Sequence, residues 1–203
     1  MNDFMLEKVF NVLTQIHNMP IQKFLSEKNE VALQLEKDEI NQCMNGWYDV
    51  IREHSGVFTE NDLYKIGENI NIINKQLHPS KKMCCHGDFH FENILSDCQG
   101  NIIVCDWQNV NNGHVSGDIS FFLSRLAADG IGISKEKAIQ MYCRLSTNNI
   151  TYEEIAIQMS LSNLNTSFIH WHNYLRGCSI ERVHGIWNKM IEDAEYLYKI
   201  CKV

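Results

Sequence analysis

The chain has 203 residues, 44% of them hydrophobic and 21% charged, with a formal net charge of −7. This is a globular composition, long enough for a sizeable core, and no apolar run reaches the roughly 18 residues that cross a bilayer. The acidic balance argues against a nucleic-acid binder, which presents a basic stripe, and is compatible with a cationic small-molecule partner.

The opening segment MNDFMLEKVF has an early acidic residue and no apolar core of a secretory signal, so a cytoplasmic location is expected. Leu6, Val9, Phe10, Leu13 and Ile16 then recur at helical spacing, and Pro20 follows as a stop. Residues 30–54 read as a second helix with Gly46 at its middle. Residues 59–78 read as a third, opening at Thr59 with acidic residues in the first turn and stopping before Pro79.

The pattern changes at residues 92–107. Two short apolar runs, the second rich in Ile and Val, flank Ser-Asp-Cys-Gln-Gly-Asn, a β-hairpin signature with Gly100 suited to the positive-φ position. These are expected to be the only strands. Helical patterns return from Gly117, with Asp118 or Gly117 as cap and Gly130 as stop. Ser134 caps the next helix, Thr151 opens one running to Gly177, and Ser179 opens the last. The whole chain, 1–203, reads as one mainly α domain (α+β) with an embedded hairpin.

Residues 84–108, CCHGDFHFENILSDCQGNIIVCDWQ, concentrate the chemistry. Eight cysteines occur, at 43, 84, 85, 98, 105, 143, 178 and 201, without a Cys-x-x-Cys pair. Reduced thiols are the expectation, although a zinc site using His86, His90 and cysteines stays open. Folding the hairpin brings its two ends together, so Asn93 and Asp106 should share its open end, with Asp88 projecting from the preceding loop. Oxygen-bearing side chains in that arrangement suit Mg²⁺, which keeps water and phosphate in its shell. A separate carboxylate that orients a hydroxyl and takes its proton completes what phosphoryl transfer needs.

His86-Gly87-Asp88, Asn93, the Asp106-Trp107 pair and the Gly117-Asp118 stretch occur in an order that resembles the aminoglycoside phosphotransferase and choline kinase superfamily. Its fold is similar to that of protein kinases. The segment VLTQIHNMP is similar to the Leu-x-x-Leu-His stretch that opens the family's helical C-terminal lobe. The resemblance implies the helical C-terminal lobe of a kinase-like fold, with the catalytic loop and hairpin at 84–108. It implies ATP or GTP as phosphate donor, Asp88 as catalytic base, Asn93 and Asp106 as Mg²⁺ ligands, and Asp118 as a buried anchor of the loop. His86 would pack that loop against the core. His90 sits inside the loop, where two readings are open, a contact to a phosphate or substrate and a polar surface residue.

The family's N-terminal lobe carries a phosphate-binding loop and a strand lysine. Here no glycine precedes Gly46, and Lys8, Lys23, Lys28 and Lys37 lie in helical or polar surroundings, so that lobe is expected to be absent. Two function classes follow. One is a kinase acting on a small-molecule hydroxyl, with a cationic acceptor as one option. The other is a catalytically silent remnant or binding module, with a second copy of the chain or a separate small lobe covering the exposed cleft face. Trp171, Tyr174, Trp187 and Tyr196 are expected to pack the last helices together rather than cage an amine. Glu192, Asp193 and Glu195 are expected to form a solvated face. His170 and His172, two residues apart on a helix, point to different faces and are expected to be structural.

Overall fold

A computed structural model describes residues 3–20, 33–54, 58–78 and 82–203. The elements run α1 (Asp3–His17), α2 (Lys37–Glu53), α3 (Glu60–Leu77), β1 (Met83–Cys85), β2 (Ile94–Ser96), β3 (Ile102–Val104), β4 (Asn111–Gly113), α4 (Val115–Ala128), α5 (Lys135–Leu145), α6 (Tyr152–His170) and α7 (Ile180–Cys201). Among the described residues, no helix is long and apolar enough to cross a membrane. The chain groups into two compact units, 1–29 with 79–159 and 30–78 with 160–203.

The first unit holds the hairpin and the loop before it. The expected stripe on α1 is its core face: Leu6, Val9, Phe10, Leu13 and Ile16 are all buried, against Phe89, Ile119, Phe122, Ile139 and Tyr142. Phe10, Phe122 and Phe89 meet in successive ring contacts at 5.8 and 5.7 Å. β2 and β3 pair antiparallel with Leu95 opposite Ile103, as the hairpin signature predicts. Gly100 takes φ +78° in the connecting turn, and Asp97 accepts hydrogen bonds from the Gln99 and Asn101 backbones. Bonds from the Asn101 side chain and backbone hold the Asp97 carboxyl below its usual range. Lys8 of α1 donates to the Gly100 carbonyl at 2.9 Å and ties the turn to the helix.

The hairpin is not the only strand pair. β1 and β4 also pair antiparallel, Met83 with Gly113 and Cys85 with Asn111. Asn-Asn-Gly has poor strand propensity, so only its long-range partner gives this segment its ladder. The expected cap of the next helix also differs. α4 begins at Val115, after His114, and Asp118 lies in its first turn with its carboxylate committed elsewhere. Ser134 and Ser179 cap α5 and α7 as expected, each hydroxyl accepting from a first-turn N–H. Thr151 and Glu154 exchange bonds as a capping box at the start of α6.

In the second unit, Trp47 of α2 is fully buried, packs edge-on against Trp187 of α7 at 5.6 Å, and donates to the Phe168 carbonyl at 3.1 Å. Asn74 and Asn165 pair their amides in both directions. α2 begins at Lys37, with Glu36 and Glu39 forming a capping box. Of the earlier residues expected in that helix, 33–36 are not helical and 30–32 lie outside the described residues, as do Lys23 and Lys28. Thr59 precedes α3 without accepting a capping bond and instead donates its hydroxyl to Asp62. α6 stops at His170, short of the expected Gly177, and a 3₁₀ turn (Trp171–Asn173) follows.

Candidate active site

The loop from β1 to the 3₁₀ turn Phe91–Asn93 is pinned at its start by a buried carboxylate. Asp118 accepts from the His86 N–H at 2.8 Å through Oδ2 and from the Gly87 N–H at 2.9 Å through Oδ1. Its Oδ2 also lies 3.0 Å from His17 Nε2. The anchoring geometry expected of Asp118 is therefore present, and it reaches one partner more than the motif implies. Gly87 sits at φ +79°, where an added Cβ would stand 2.2 Å from the Asn109 carbonyl oxygen, so the turn requires glycine twice over.

His86 is fully buried and links the two halves of the site. Its Nε2 donates to the Cys105 carbonyl at 3.0 Å, while its Nδ1 accepts from the Asp88 N–H at 3.3 Å. Cys105 directly precedes Asp106, so one imidazole spans from the loop that carries Asp88 to the end of β3. Trp107 packs edge-on against the same ring at 4.8 Å.

Asn93 is buried at the end of the 3₁₀ turn, one residue before β2. Its Nδ2 donates to the Asp88 carbonyl at 3.0 Å and to Asp88 Oδ2 at 3.2 Å, and lies 3.1 Å from His90 Nε2. Its own carbonyl accepts from the Cys105 N–H at 3.0 Å, which closes the open end of the hairpin. Asp106 follows, exposed and in the left-handed region at φ 62°. Left-handed backbone costs a non-glycine residue about 1 kcal/mol or more, and such sites gather where function demands a particular side-chain direction. Asp88, Asn93 and His90 thus form one hydrogen-bonded group, with Asp106 at the same hairpin end.

His90 is buried rather than presented at the surface, its ring edge-on to Phe121 at 5.5 Å. Its Nδ1 lies 3.4 Å from Glu92 Oε2, and Arg125 of α4 pairs with that oxygen at 2.7 Å. Neither Glu92 nor Arg125 stands out in the sequence, because neither belongs to a local motif.

Two carboxylates and an amide whose donor edge is already occupied offer oxygen ligands, which fit a hard cation such as Mg²⁺. The zinc alternative has different support. Among the described residues, the group with ligand atoms within 4.8 Å of one another is His17, Cys85 and Asp118, all buried, and it includes neither His86 nor His90. The cysteines are free thiols, with Cys43, Cys84, Cys85 and Cys201 buried.

In the second unit, Trp187 is core, and Tyr174 is exposed. His172, in the 3₁₀ turn, packs against Gly46. Asp193 departs from the expected solvated face: it is 2% exposed, with Lys189 3.6 Å from Oδ1.

A sequence model of the phosphotransferase enzyme family matches residues 3–153. No curated protein sequence matches the chain. Among solved structures, an ADP-bound aminoglycoside phosphotransferase aligns over 95% of this chain and 65% of its own, with TM-score 0.53 and 16% identity. The choline kinase LicA from Streptococcus pneumoniae aligns over 97% and 64%, with TM-score 0.52 and 16% identity. A Plasmodium vivax ethanolamine kinase aligns over 97% and 60%, with TM-score 0.51 and 13% identity. The chain therefore has the helical-lobe fold of these kinases and spans less than two thirds of their length.

Proposed function

This chain belongs to the phosphotransferase enzyme family, and we propose that it moves the γ-phosphate of ATP, or of GTP, onto a hydroxyl group of a small molecule. The observation that carries this reading is the amide of Asn93, which gathers Asp88 into one hydrogen-bonded group at the hairpin mouth beside Asp106. In this reading Asp88 orients the acceptor hydroxyl and takes its proton as the oxygen bonds to the γ-phosphorus. The bond from that phosphorus to the bridging oxygen breaks, and the nucleoside diphosphate leaves with the electron pair. Asn93 and Asp106 would hold Mg²⁺. When bound, the ion supplies neutralising charge to the phosphate oxygens. Asp118 and His86 do no chemistry and keep the loop registered against β3.

Cytoplasmic Mg·ATP is the donor this reading calls for, and an acceptor with cationic character suits the chain's net negative charge. Calorimetric titration of the chain with Mg·ATP tests it, with Asp106→Ala as control. Binding that is lost in the variant is expected, and equal binding by both proteins would remove the hairpin mouth from the reading.

A second reading, a binding module without turnover, is favoured by exposed apolar surface on the hairpin. Exposed Leu95 and Ile103, opposite one another on the hairpin, are the rung on which a nucleotide-binding lobe would then close. Nucleotide binding by the wild-type chain alone would count against this reading.

A further inference from the structure

We propose that His90 is a positioning residue for Asn93, with the Glu92 carboxylate and Arg125 set beside its Nδ1, and that this relay keeps the Asn93 amide oxygen available as a ligand. The inference rests on the phosphotransferase reading of the site and assigns to His90 a role on the amide instead of on the nucleotide.

The argument starts from an obligate acceptor. The Asp88 backbone carbonyl, 3.0 Å from the terminal Asn93 atom, can only accept, and the Asp88 carboxylate 3.2 Å away accepts as well. The Asn93 atom facing them must be the nitrogen, since an oxygen there would set acceptor against acceptor. That same nitrogen lies 3.1 Å from His90 Nε2, which also has Asp88 Oδ1 3.6 Å away. In the proposed arrangement Nε2 turns its lone pair to the amide, whose two hydrogens are then shared among three acceptors. In a neutral imidazole the proton then sits on Nδ1. A carboxylate oxygen of Glu92, Oε2, lies 3.4 Å from Nδ1 as an ion-pair contact without a hydrogen bond, and Arg125 fixes that carboxylate from α4 at 2.7 Å. Phe121 and Phe91 bracket the ring, with edge-on contacts at 5.5 and 6.3 Å.

The consequence falls on Asn93. An asparagine amide can turn over and exchange its oxygen and nitrogen at small cost unless its neighbours discriminate between them. Here Asp88 and His90 both demand a donor, so the nitrogen is held inward and the oxygen is left for a ligand. Outer residues of this kind are worth about 10–100-fold in metal affinity. Glu92 and Arg125 lie outside the chemistry and act only through His90.

Two measurements test this. Long-range ¹H–¹⁵N correlation on the metal-free chain reads the imidazole tautomer, with His90 assigned through His90→Gln. A proton on Nδ1 with a bare Nε2 is expected, and a protonated Nε2 would overturn the relay. Mn²⁺ binding, followed by electron paramagnetic resonance, reads the consequence. His90→Ala is expected to weaken Mn²⁺ at least tenfold, with partial recovery in His90→Gln, whose side-chain oxygen can accept from Asn93. Glu92→Ala, at an exposed position, is expected to weaken it several-fold without unfolding the chain. Unchanged Mn²⁺ affinity in His90→Ala and Glu92→Ala, with binding lost in Asp106→Ala, would overturn the proposal. A wild-type chain that binds no Mn²⁺ overturns the metal reading of the site, while the tautomer still decides the relay.

Discussion

His17 Nε2 lies 3.0 Å from Asp118 Oδ2, a buried contact across 101 residues of chain between the end of α1 and the start of α4. Tyr142 of α5 adds its hydroxyl 2.8 Å from His17 Nδ1. The backbone N–H groups of His86 and Gly87 complete the Asp118 carboxylate. Three helices therefore set the position of the loop that carries Asp88, without any of them touching Asp88 through this network.

Asp118→Asn and Asp88→Asn should separate structural from chemical roles. An amide at 118 cannot accept through both terminal atoms, so a buried backbone N–H loses its partner and the His17 contact weakens. A loss of about 3 kcal/mol is expected from the urea midpoint. Asp88 is half-buried; its carboxylate accepts from Asn93 at 3.2 Å and lies 3.6 Å from His90 Nε2. Its replacement should cost under about 1 kcal/mol while abolishing transfer to an acceptor. Equal destabilisation by the two variants would contradict this assignment.

Burial pushes the Tyr142 phenol up to about 12. The folded state thus favours the protonated form more than the unfolded chain does, whose phenol titrates near 10. The stabilisation is complete below pH 10 and is lost as pH rises toward 12. Tyr198 is also pushed up, chiefly by burial, and adds a second contribution of the same sign. Urea midpoints should fall between pH 10 and 11.5, and less steeply in Tyr142→Phe. That variant should also be about 1 kcal/mol less stable at pH 8, from the lost bond to His17. An identical alkaline slope in both proteins would exclude Tyr142 from the effect.

Gly46 lies within α2, where alanine would ordinarily gain about 1 kcal/mol of helix propensity. An added Cβ would stand 2.1 Å from His172 Nδ1, and the overpacking term, about 1–3 kcal/mol, should win. Gly46→Ala is expected to lower the melting temperature, and His172→Ala/Gly46→Ala to exceed His172→Ala alone. Burial also holds the His172 imidazole below its usual range. Its contribution to stability is present above pH 6.5 and is lost as the pH falls below that value. A melting temperature raised by Gly46→Ala alone would show that the ring yields.

Burial pushes the thiols of Cys43, Cys84, Cys143 and Cys201 up, which disfavours the reactive thiolate. Cys98 is exposed at the hairpin turn. Brief maleimide treatment followed by peptide mass spectrometry should find Cys98 modified well before those four. Early modification of Cys84 would mean that the β1–β4 pair opens readily.

The sequence by itself determined the elements whose signals are local. The α1 core stripe needs only 3.6-residue spacing, the β2–β3 turn needs Gly100, and the caps at Ser134 and Ser179 need a hydroxyl beside an N–H. It also placed Asp88, Asn93 and Asp106 around one hairpin, because a short hairpin brings its ends together whatever surrounds it. What tertiary structure alone decided is pairing between distant segments. Asn111–Gly113 becomes a strand only against Met83–Cys85, and Asp193 is buried although its neighbours Glu192 and Glu195 are exposed. His17 meets Asp118, and Glu92 meets Arg125, across gaps that no periodicity encodes. Hydrogen bonds of this kind depend on where whole helices pack, so the residues that position the site became visible only once the core was assembled.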